Sequence, residues 1–450
     1  GASTPWRRRP PTALLSVLMA CGGGGGSDAT PSVEGSPPPA VQEPPPEQEA
    51  PQEPPQEPAV PARLAALSIG TAGQAAIVSR DDYLDGTYSL VDADGQTLAA
   101  GNLEIRGRGN STWRYPKKPY RVRLADSTPL FGMPSSRHWA LLANYADKTM
   151  LRNDIVFEMS RRYGMAYTPR SQFVHVTLNG RYDGVYQLTE SIRIATDRVD
   201  IPALEETDIS SDVISGGYLL EVDETRGEDF CFDSKQTPMV FCAKDPEELL
   251  DAARKPQRDY IVNYMDAVDT AILGPDFKDP VKGYEAYIDV DSAITYFLIQ
   301  EMVKNVDGNL RKSTYLTKKR DGKLFFDPLW DFDRAIGNTE SPLAGNPEDW
   351  RVRLTPWFAR LFEDPAFEAR VKARWAEMKA GNEFDEIQAY IDERAVFMQD
   401  AQARNFQRWP ILGTWLDTTR VVPGTYDGEI SVMKEWLRAR IAWMDSQLGQ

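Results

Sequence analysis

The most informative stretch of the chain reads Asp291-Ser-Ala-Ile-Thr-Tyr-Phe-Leu-Ile-Gln-Glu-Met-Val-Lys-Asn-Val-Asp307, followed by Gly308 and Asn309. Several apolar residues of this stretch fall on one face of a helix: Ile294, Phe297, Leu298 and Met302. A helix with an apolar face packs against a core, so the stretch predicts a firmly docked helix that fixes the loop after it. Asp307 lies in that loop and is the first catalytic candidate, as a group that accepts or orients a hydroxyl proton.

A β-hairpin is predicted next, from residues 313–317, a turn at Asp321-Gly322 and residues 324–326. Its far end reads Trp330-Asp331-Phe332-Asp333. Asp331 and Asp333 are two positions apart in an extended segment, so their side chains would share a face. The aromatic neighbours make the surroundings apolar, where unpaired carboxylates are costly, so a cation or Arg334 is needed beside them.

Two carboxylates on one face suit a hard divalent cation such as Mg²⁺ or Mn²⁺, so Asp331 and Asp333 are candidate metal ligands. The plainer alternative is that each aspartate only caps a turn. Protein kinases hold their catalytic base in a loop after a helix, and a metal ligand at the end of the next hairpin. The spacing of Asp307 and Asp331 is typical of that arrangement.

A glycine-containing turn is predicted within Arg106-Gly-Arg-Gly-Asn-Ser-Thr-Trp-Arg-Tyr-Pro-Lys-Lys-Pro-Tyr120. Glycines and small polar residues let backbone amides approach phosphate oxygens, and the arginines and lysines supply charge. The alternative is a tight turn between two strands with no ligand. The candidate nucleotide-binding residues of this turn are Arg106, Arg108, Asn110 and Ser111.

Three further residues are candidates for contacts to a nucleotide. Lys118 enters an alternating strand and is the preferred phosphate ligand, with Lys117 expected to face the other way. Glu158, on the following predicted helix, would orient that lysine, or would be a solvated surface group. Glu190 ends a strand at the position where the hinge of a kinase would contact the edge of adenine. The alternatives are that Glu190 binds the phosphate-contacting lysine or a metal.

The N-terminal part has the features of an export signal. Arg7-Arg8-Arg9 precedes a short apolar run, and Leu18-Met19-Ala20-Cys21 resembles a bacterial lipobox, in which Cys21 receives a lipid. The alternatives are an ordinary secretory signal or a chance Ala-Cys pair. We expect residues 1–21 to be a signal peptide and, because Gly22 is not Asp, attachment at the outer membrane or cell surface. Residues 22–62 are rich in Gly, Pro and Glu and predict a disordered tether.

Composition excludes some functions. The net charge of −16 argues against a nucleic-acid binder, although part of it comes from glutamates of the tether. The only histidines, His138 and His175, are not at zinc-ligand spacing from the cysteines. Cys231 and Cys242 flank a polar insertion and could pair in an exported protein.

The remaining pattern predicts an α+β fold in a domain covering residues 63–450. Strands are predicted at residues 74–78, 87–91, 101–106, 119–124 and 217–222, and as a hairpin over 172–178 and 184–189. Helices are predicted after Asp147 and at about residues 246–272, 290–304, 356–379, 383–406 and 427–448. This order predicts a two-lobed, atypical protein-kinase-like fold. Residues 63–222 would be N-lobe-like, and residues 223–450 would hold an insertion and a helical C-lobe-like part.

Five motifs in this order resemble the CotH family, the spore-coat-protein-H-like atypical kinases. They are Arg-Gly-Asn-Ser-Thr-Trp with Pro-Lys-Lys-Pro-Tyr-Arg, Leu-Arg-Asn, Gly-Val-Tyr-Gln-Leu-Thr-Glu, Asn-Val-Asp-Gly and Pro-Leu-Trp-Asp-Phe-Asp. The resemblance covers roughly residues 64–448. It implies ATP-dependent phosphorylation of protein Ser or Thr with a divalent cation. Asp307 would be catalytic, Asp331 would bind metal and Lys118 would contact phosphate.

One departure from the family pattern concerns the second metal ligand. Many relatives have Asn shortly after the loop aspartate, whereas here residues 310–314 read Leu-Arg-Lys-Ser-Thr. Asn309 or Ser313 would have to substitute for it.

Three functions follow from these observations. We expect a monomeric, membrane-tethered kinase that acts on a protein of the cell surface or periplasm. The alternative is a non-catalytic adhesion protein on a kinase-like scaffold, which the missing Asn and the acidic insertion favour. A glycosidase with paired carboxylates is the weakest of the three, because Asp331 and Asp333 are too close together for it.

Overall fold

The computed structural model describes residues 64–227 and 229–449. The predicted signal peptide, Cys21 and the predicted tether lie outside the described residues. The described chain is a mixed α+β protein. Its strands are β1 Ala65–Thr71, β2 Leu84–Val91, β3 Thr97–Gly107, β4 Tyr120–Thr128, β5 Ser136–Leu142, β6 Ser171–Leu178, β7 Arg181–Glu190, β8 Tyr218–Val222, β9 Cys231–Asp233, β10 Val240–Asp245, β11 Thr314–Lys318 and β12 Leu324–Phe325.

The α-helices of the described residues are concentrated after residue 254, so the predicted helical C-terminal part is confirmed. They are α1 Arg152–Arg162, α2 Lys255–Leu273, α3 Tyr284–Tyr287, α4 Val290–Val303, α5 Pro342–Gly345, α6 Pro356–Leu361, α7 Pro365–Ala380, α8 Glu383–Phe397, α9 Gln399–Arg408 and α10 Tyr426–Leu448. In the part of the chain that is described, none of these helices combines the length and apolar character needed to cross a bilayer.

The first seven strands close into a barrel in the order β1-β2-β3-β4-β5-β7-β6. Parallel pairing of β1 with β6 completes the ring. Alternate residues of each strand point inward, and the interior is filled by apolar side chains such as Leu90, Ile105, Trp139 and Leu141, all fully buried. The predicted hairpin of β6 and β7 is confirmed, with the turn at Asn179 and Gly180 in the left-handed region.

A second sheet has the order β12-β11-β8-β10-β9. All residues of its central strand β8 are buried, because helices cover one side and the barrel lies towards the other. β9 and β10 form the polar insertion, and their directly paired residues Cys231 and Cys242 are joined by a disulfide. The predicted hairpin before Asp331 is confirmed as β11 and β12.

Helix α4 lies at the centre of the helical part and is apolar on nearly every face. Its residues Ala293, Phe297, Ile299 and Met302 are fully buried against α1, α7 and α10. The helix ends where Lys304 adopts a left-handed conformation (φ 46°). The prediction of a firmly docked helix before Asp307 is therefore confirmed.

Several predicted boundaries were wrong for identifiable reasons. Residues 74–78 form no strand, because Thr71 Oγ1 donates to the carbonyl of Ala75 at 2.6 Å and closes a turn there. Helix α2 begins at Lys255 rather than near residue 246, since the Arg258 guanidinium bonds the carbonyls of Leu249 and Asp251 in an irregular segment.

The long C-terminal helices are also divided. The predicted helix 356–379 is two helices, because Asp364 caps α7 by accepting from the N–H of Ala366 at 3.0 Å. The predicted helix 383–406 is interrupted at Met398 between α8 and α9, whereas α10 confirms the last prediction.

Candidate active site

A cleft of about 390 Å³ opens between the barrel and the helical part. One wall is formed by the turn between β3 and β4 and by the end of β5, and the other by the loop after α4 and the segment after β12. Asp307, Asp331 and Asp333 all line this cleft. The structure therefore brings the three predicted aspartates together from two separate elements.

Asp307 is held by its own loop. Its backbone oxygen accepts from the N–H of Asn309 at 2.8 Å and of Lys312 at 3.1 Å, which closes a tight turn. Its carboxylate accepts from Arg311 Nη2 at 2.8 Å and keeps 23% of its side-chain surface exposed. A carboxylate that is fixed but still reachable from solvent is suited to meet an incoming hydroxyl group.

Asp331 is fixed by three different elements. Its Oδ2 accepts from Ser313 Oγ at 3.1 Å, and its backbone oxygen accepts from Asn305 Nδ2 at 3.0 Å. The N–H of the next residue, Phe332, donates to Asn153 Oδ1 on α1 at 2.8 Å. Asp331 itself has a positive φ of 69°, an unfavourable conformation for a residue with a side chain. These contacts stabilise the backbone that turns its carboxylate into the cleft.

The electrostatics of the acidic wall favour a bound cation. Burial and the nearby Asp307 raise the pKa of Asp331, while the Arg108 guanidinium opposes that rise. Burial and the charge of Asp331 raise the pKa of Asp333 well above its ordinary value. Both carboxylates are thus destabilised as anions, and a bound divalent cation would offset the repulsion between their charges.

The donor set fits a hard cation but does not enclose one. Among residues 64–227 and 229–449, no group of three or more His, Cys, Asp or Glu is placed to hold a metal ion alone. Magnesium commonly takes only one or two carboxylates and completes its shell with water and phosphate oxygens. Asp331 and Asp333 match that requirement, and Ser313, which also lines the cleft, offers a hydroxyl oxygen.

The opposite wall is the glycine turn, where Arg108, Asn110 and Ser111 line the cleft. That they bind a nucleotide stays a prediction. Gly109 has φ 81°, and a Cβ there would lie 2.1 Å from Thr112 Oγ1, so the turn requires glycine. The Arg108 guanidinium lies over the Trp330 ring at 5.2 Å, facing the acidic wall. Burial lowers its pKa, and Asp331 counteracts that change.

Arg106, by contrast, does not line the cleft. Its guanidinium donates to the Arg80 carbonyl at 2.6 Å and stacks on the Tyr83 ring at 4.8 Å, because it belongs to β3 and follows that strand's alternation. Arg106 was expected beside Arg108 in the candidate site, and the structure places it outside the cleft lining.

The two lysines are reversed relative to the prediction. Lys117 lines the cleft, is 1% exposed, and donates to the Val185 carbonyl and to Asn405 Oδ1. Burial lowers its pKa to about 7. Lys118 turns away, with its Nζ donating to the Trp113 carbonyl at 2.5 Å and lying over the ring of that residue. The expectation failed because residues 117–119 precede β4, so the alternation of the strand does not extend to them.

The two glutamates considered for nucleotide or lysine contacts have other partners. Glu190 is fully buried and accepts from Tyr167 Oη at 2.9 Å and Arg170 Nε at 3.1 Å, away from the cleft lining. Glu158 pairs with Arg161 and Arg162 on the same helix surface. Each has a structural set of contacts, and neither lies beside Lys117.

Sequence reasoning missed the wall formed by β8 and the disulfide-linked insertion. Glu221, Asp223, Asp229 and Lys244 line the cleft there. Burial raises the pKa of Glu221 to about 7, and Lys244 Nζ lies 3.6 Å from Glu221 and 2.7 Å from Asp229. An acidic residue within an apolar strand was the signal that could have identified Glu221.

The two residues proposed to replace the missing second metal ligand, Ser313 and Asn309, lie in different places in the structure. Ser313 faces the cleft and contacts Asp331, whereas Asn309 lines a neighbouring groove. Asn153 and Asn144, linked at 3.2 Å, also line the cleft and were not predicted as site residues.

Comparison with known proteins agrees with the motifs. The family model described as CotH kinase protein matches residues 105–444, which include every cleft residue discussed above. The match identifies a kinase-like protein. The chain belongs to the CotH kinase family. A search of curated proteins returned no match to it.

Proposed function

We propose that this protein transfers the γ-phosphate of ATP to Ser or Thr hydroxyl groups of other proteins, with Mg²⁺ or Mn²⁺ as its cation. The observation that supports this most is the placement of Asp307, Asp331 and Asp333 in one cleft, opposite Arg108 and Lys117. Phosphoryl transfer needs negative charge to hold a cation, positive charge to hold phosphates and a group that orients the acceptor. The cleft offers all three within one space.

Each side chain has a chemical role in this proposal. The backbone amides of residues 109–112, with Arg108 and Lys117, bind phosphate oxygens. Asp331 and Asp333 would hold the divalent cation, which when bound neutralises charge on the phosphates. Asp307 orients the acceptor hydroxyl and accepts its proton as the oxygen bonds to the γ-phosphorus and ADP leaves. The barrel and the helical part would then correspond to the two lobes of a kinase.

We propose further that the protein is an exported lipoprotein, anchored through Cys21 at the outer membrane or cell surface and acting as a monomer. The leader-like sequence supports this assignment. The Cys231–Cys242 disulfide also supports it, because such bonds persist mainly in oxidising compartments. Its substrates would be surface or periplasmic proteins.

The proposal is tested with labelled ATP and Mg²⁺ or Mn²⁺ on the protein and a mixture of exported proteins. Asp307→Asn and Asp331→Asn should each abolish transfer while keeping the folded state, and Asp94→Asn, in an exposed turn, serves as the matched control. Calorimetry with ATP and Mg²⁺ provides a second measurement. An absence of nucleotide binding would favour the alternative of a non-catalytic adhesion protein.

A further inference from the structure

We propose that a groove beside Asp307 binds the protein substrate as an extended segment. The segment would place a large apolar side chain and an acidic side chain next to its acceptor hydroxyl. The inference rests on the proposed phosphoryl transfer and adds the substrate's sequence preference.

The groove is separate from the nucleotide cleft but begins at the same loop. It has a volume of about 950 Å³, and Asn309, Leu310 and Arg311 form part of its wall. These residues follow Asp307 directly, and Asp307 lines the 390 Å³ cleft. A chain lying in the groove would therefore pass the carboxylate that is proposed to meet the acceptor hydroxyl.

Exposed apolar side chains line the groove. Leu343 is 74% exposed and Leu354 is 71% exposed, and both line it. Met239 and Leu310 are buried in its wall, with the half-buried Trp350 beside them. Scattered exposed leucines need no explanation, but several apolar side chains around one groove are typical of a binding surface. A large apolar side chain of the substrate would cover them.

The groove wall is tied to the loop that holds Asp307. Lys304 Nζ donates to the carbonyls of Asn346 and Glu348, and both Lys304 and Asn346 line the groove. Arg351 donates to the carbonyls of Asn305, at 3.2 Å, and Val306, at 2.6 Å. Residues 305–306 directly precede Asp307. The position of a chain bound in the groove would thus be fixed relative to the catalytic carboxylate.

Arg311 supplies the second element of recognition. It lines the groove, its side chain is 49% exposed, and Nη2 bonds Asp307 at 2.8 Å. A guanidinium group has five N–H donors in a planar fork, so donors remain for a second carboxylate. An acidic substrate side chain would bind this outer edge. That contact, made while Arg311 still bonds Asp307, would hold the substrate segment beside the catalytic carboxylate.

A positional-scanning library of Ser-centred peptides with labelled ATP and Mg²⁺ tests the inference. We expect selection for Leu, Ile or Phe at one flanking position and for Asp or Glu at another. Leu343→Asp and Leu354→Asp should each lose the apolar selection and raise the peptide KM by about tenfold or more, with the ATP KM unchanged. Arg311→Gln should lose the acidic selection.

Leu250→Asp is the matched control, because Leu250 is 56% exposed and lies outside the groove. It should keep both selections. Two results would overturn the proposal that the groove binds the substrate, while leaving the kinase proposal standing. One is phosphorylation of peptides without an apolar or acidic preference, and the other is an equal effect of Leu250→Asp and Leu343→Asp. No transfer to any peptide or protein would overturn both. Thermal unfolding and ATP binding of each variant show that a lost selection does not come from lost folding.

Discussion

Asn405 Oδ1 accepts from Lys117 Nζ and from the N–H of Val185, each at 3.0 Å. A single amide oxygen of α9 therefore joins the residues before β4 to the middle of β7. The approach is close, since a Cβ on Gly184 would lie 2.7 Å from the same oxygen. The C-terminal helices thus fix the position of the lysine in the cleft, although they contribute no acidic candidate to it.

This contact leads to a prediction about two adjacent lysines. Lys117→Met removes a buried amine from the cleft wall. Because bound phosphates would favour its protonated form, the change should weaken Mg²⁺–ATP binding by at least about tenfold, the equivalent of one charged hydrogen bond. Lys118→Met, its matched control, should change binding little, because Lys118 contacts Trp113 outside the cleft. Isothermal titration of both variants decides between the two assignments. A larger loss of Mg²⁺–ATP affinity in Lys118→Met would favour Lys118 as the phosphate ligand, as the sequence pattern predicted.

The contrast between the aspartates and the lysines shows what the sequence can predict. Asp307 and Asp331 follow a helix and a hairpin whose apolar patterns are local and clear, so the sites could be placed from the pattern alone. The position of Lys117 in the cleft depends on its hydrogen bond to Asn405, which is 288 positions away in the sequence. It also depends on a turn that interrupts the alternation of the strand. No local pattern contains that information.

The same distinction applies to the fold. The β6–β7 hairpin was predictable because Asn179-Gly180 specifies its turn. Closure of the barrel depends on parallel pairing between β1 and β6, which are separated by four strands and an α-helix and have no shared signal. The insertion wall is also assembled by pairing of separate strands, β8 with β10, so only Glu221, an acidic residue within an apolar strand, had a local signal.

Asp333→Asn should stabilise the protein in the absence of a cation. Burial and Asp331 raise the pKa of Asp333, so its anionic form is unfavourable in the folded state. A neutral side chain removes that repulsion, and we expect a gain of about 0.5–2 kcal/mol in the free energy of unfolding. The same variant should lose most of the stabilisation that Mg²⁺–ATP gives the wild type. Thermal unfolding with and without Mg²⁺–ATP measures both effects, and a destabilised cation-free variant would contradict this account.

Arg440→Leu should strongly destabilise the helical part. The Arg440 side chain is fully buried, and its Nη2 lies 2.7 Å from Glu301 Oε1, which is also fully buried. Removing one partner of a buried ion pair typically costs about 3–5 kcal/mol, because the other charge is left uncompensated. Arg438→Leu, on an exposed position of the same helix, should cost little. Denaturant unfolding of the two variants provides the comparison, and equal effects would exclude the ion pair as the cause.

Asp327→Asn should remove a pH-dependent loss of stability. Asp327 is 5% exposed, its Oδ1 has no hydrogen-bond partner among the described residues, and burial raises its pKa from 3.8 to about 6. Between these values the folded state binds a proton that the unfolded chain has released, so stability falls as pH rises through this window. The full cost, about 3 kcal/mol for the shift from 3.8 to about 6, is present above about pH 6.

The variant should therefore gain stability over the wild type as pH rises from 4 to 7. Urea unfolding across that range measures the gain, with Asp126→Asn, at an exposed strand position, as control. A difference between variant and wild type that does not change with pH would show that Asp327 is not the titrating group.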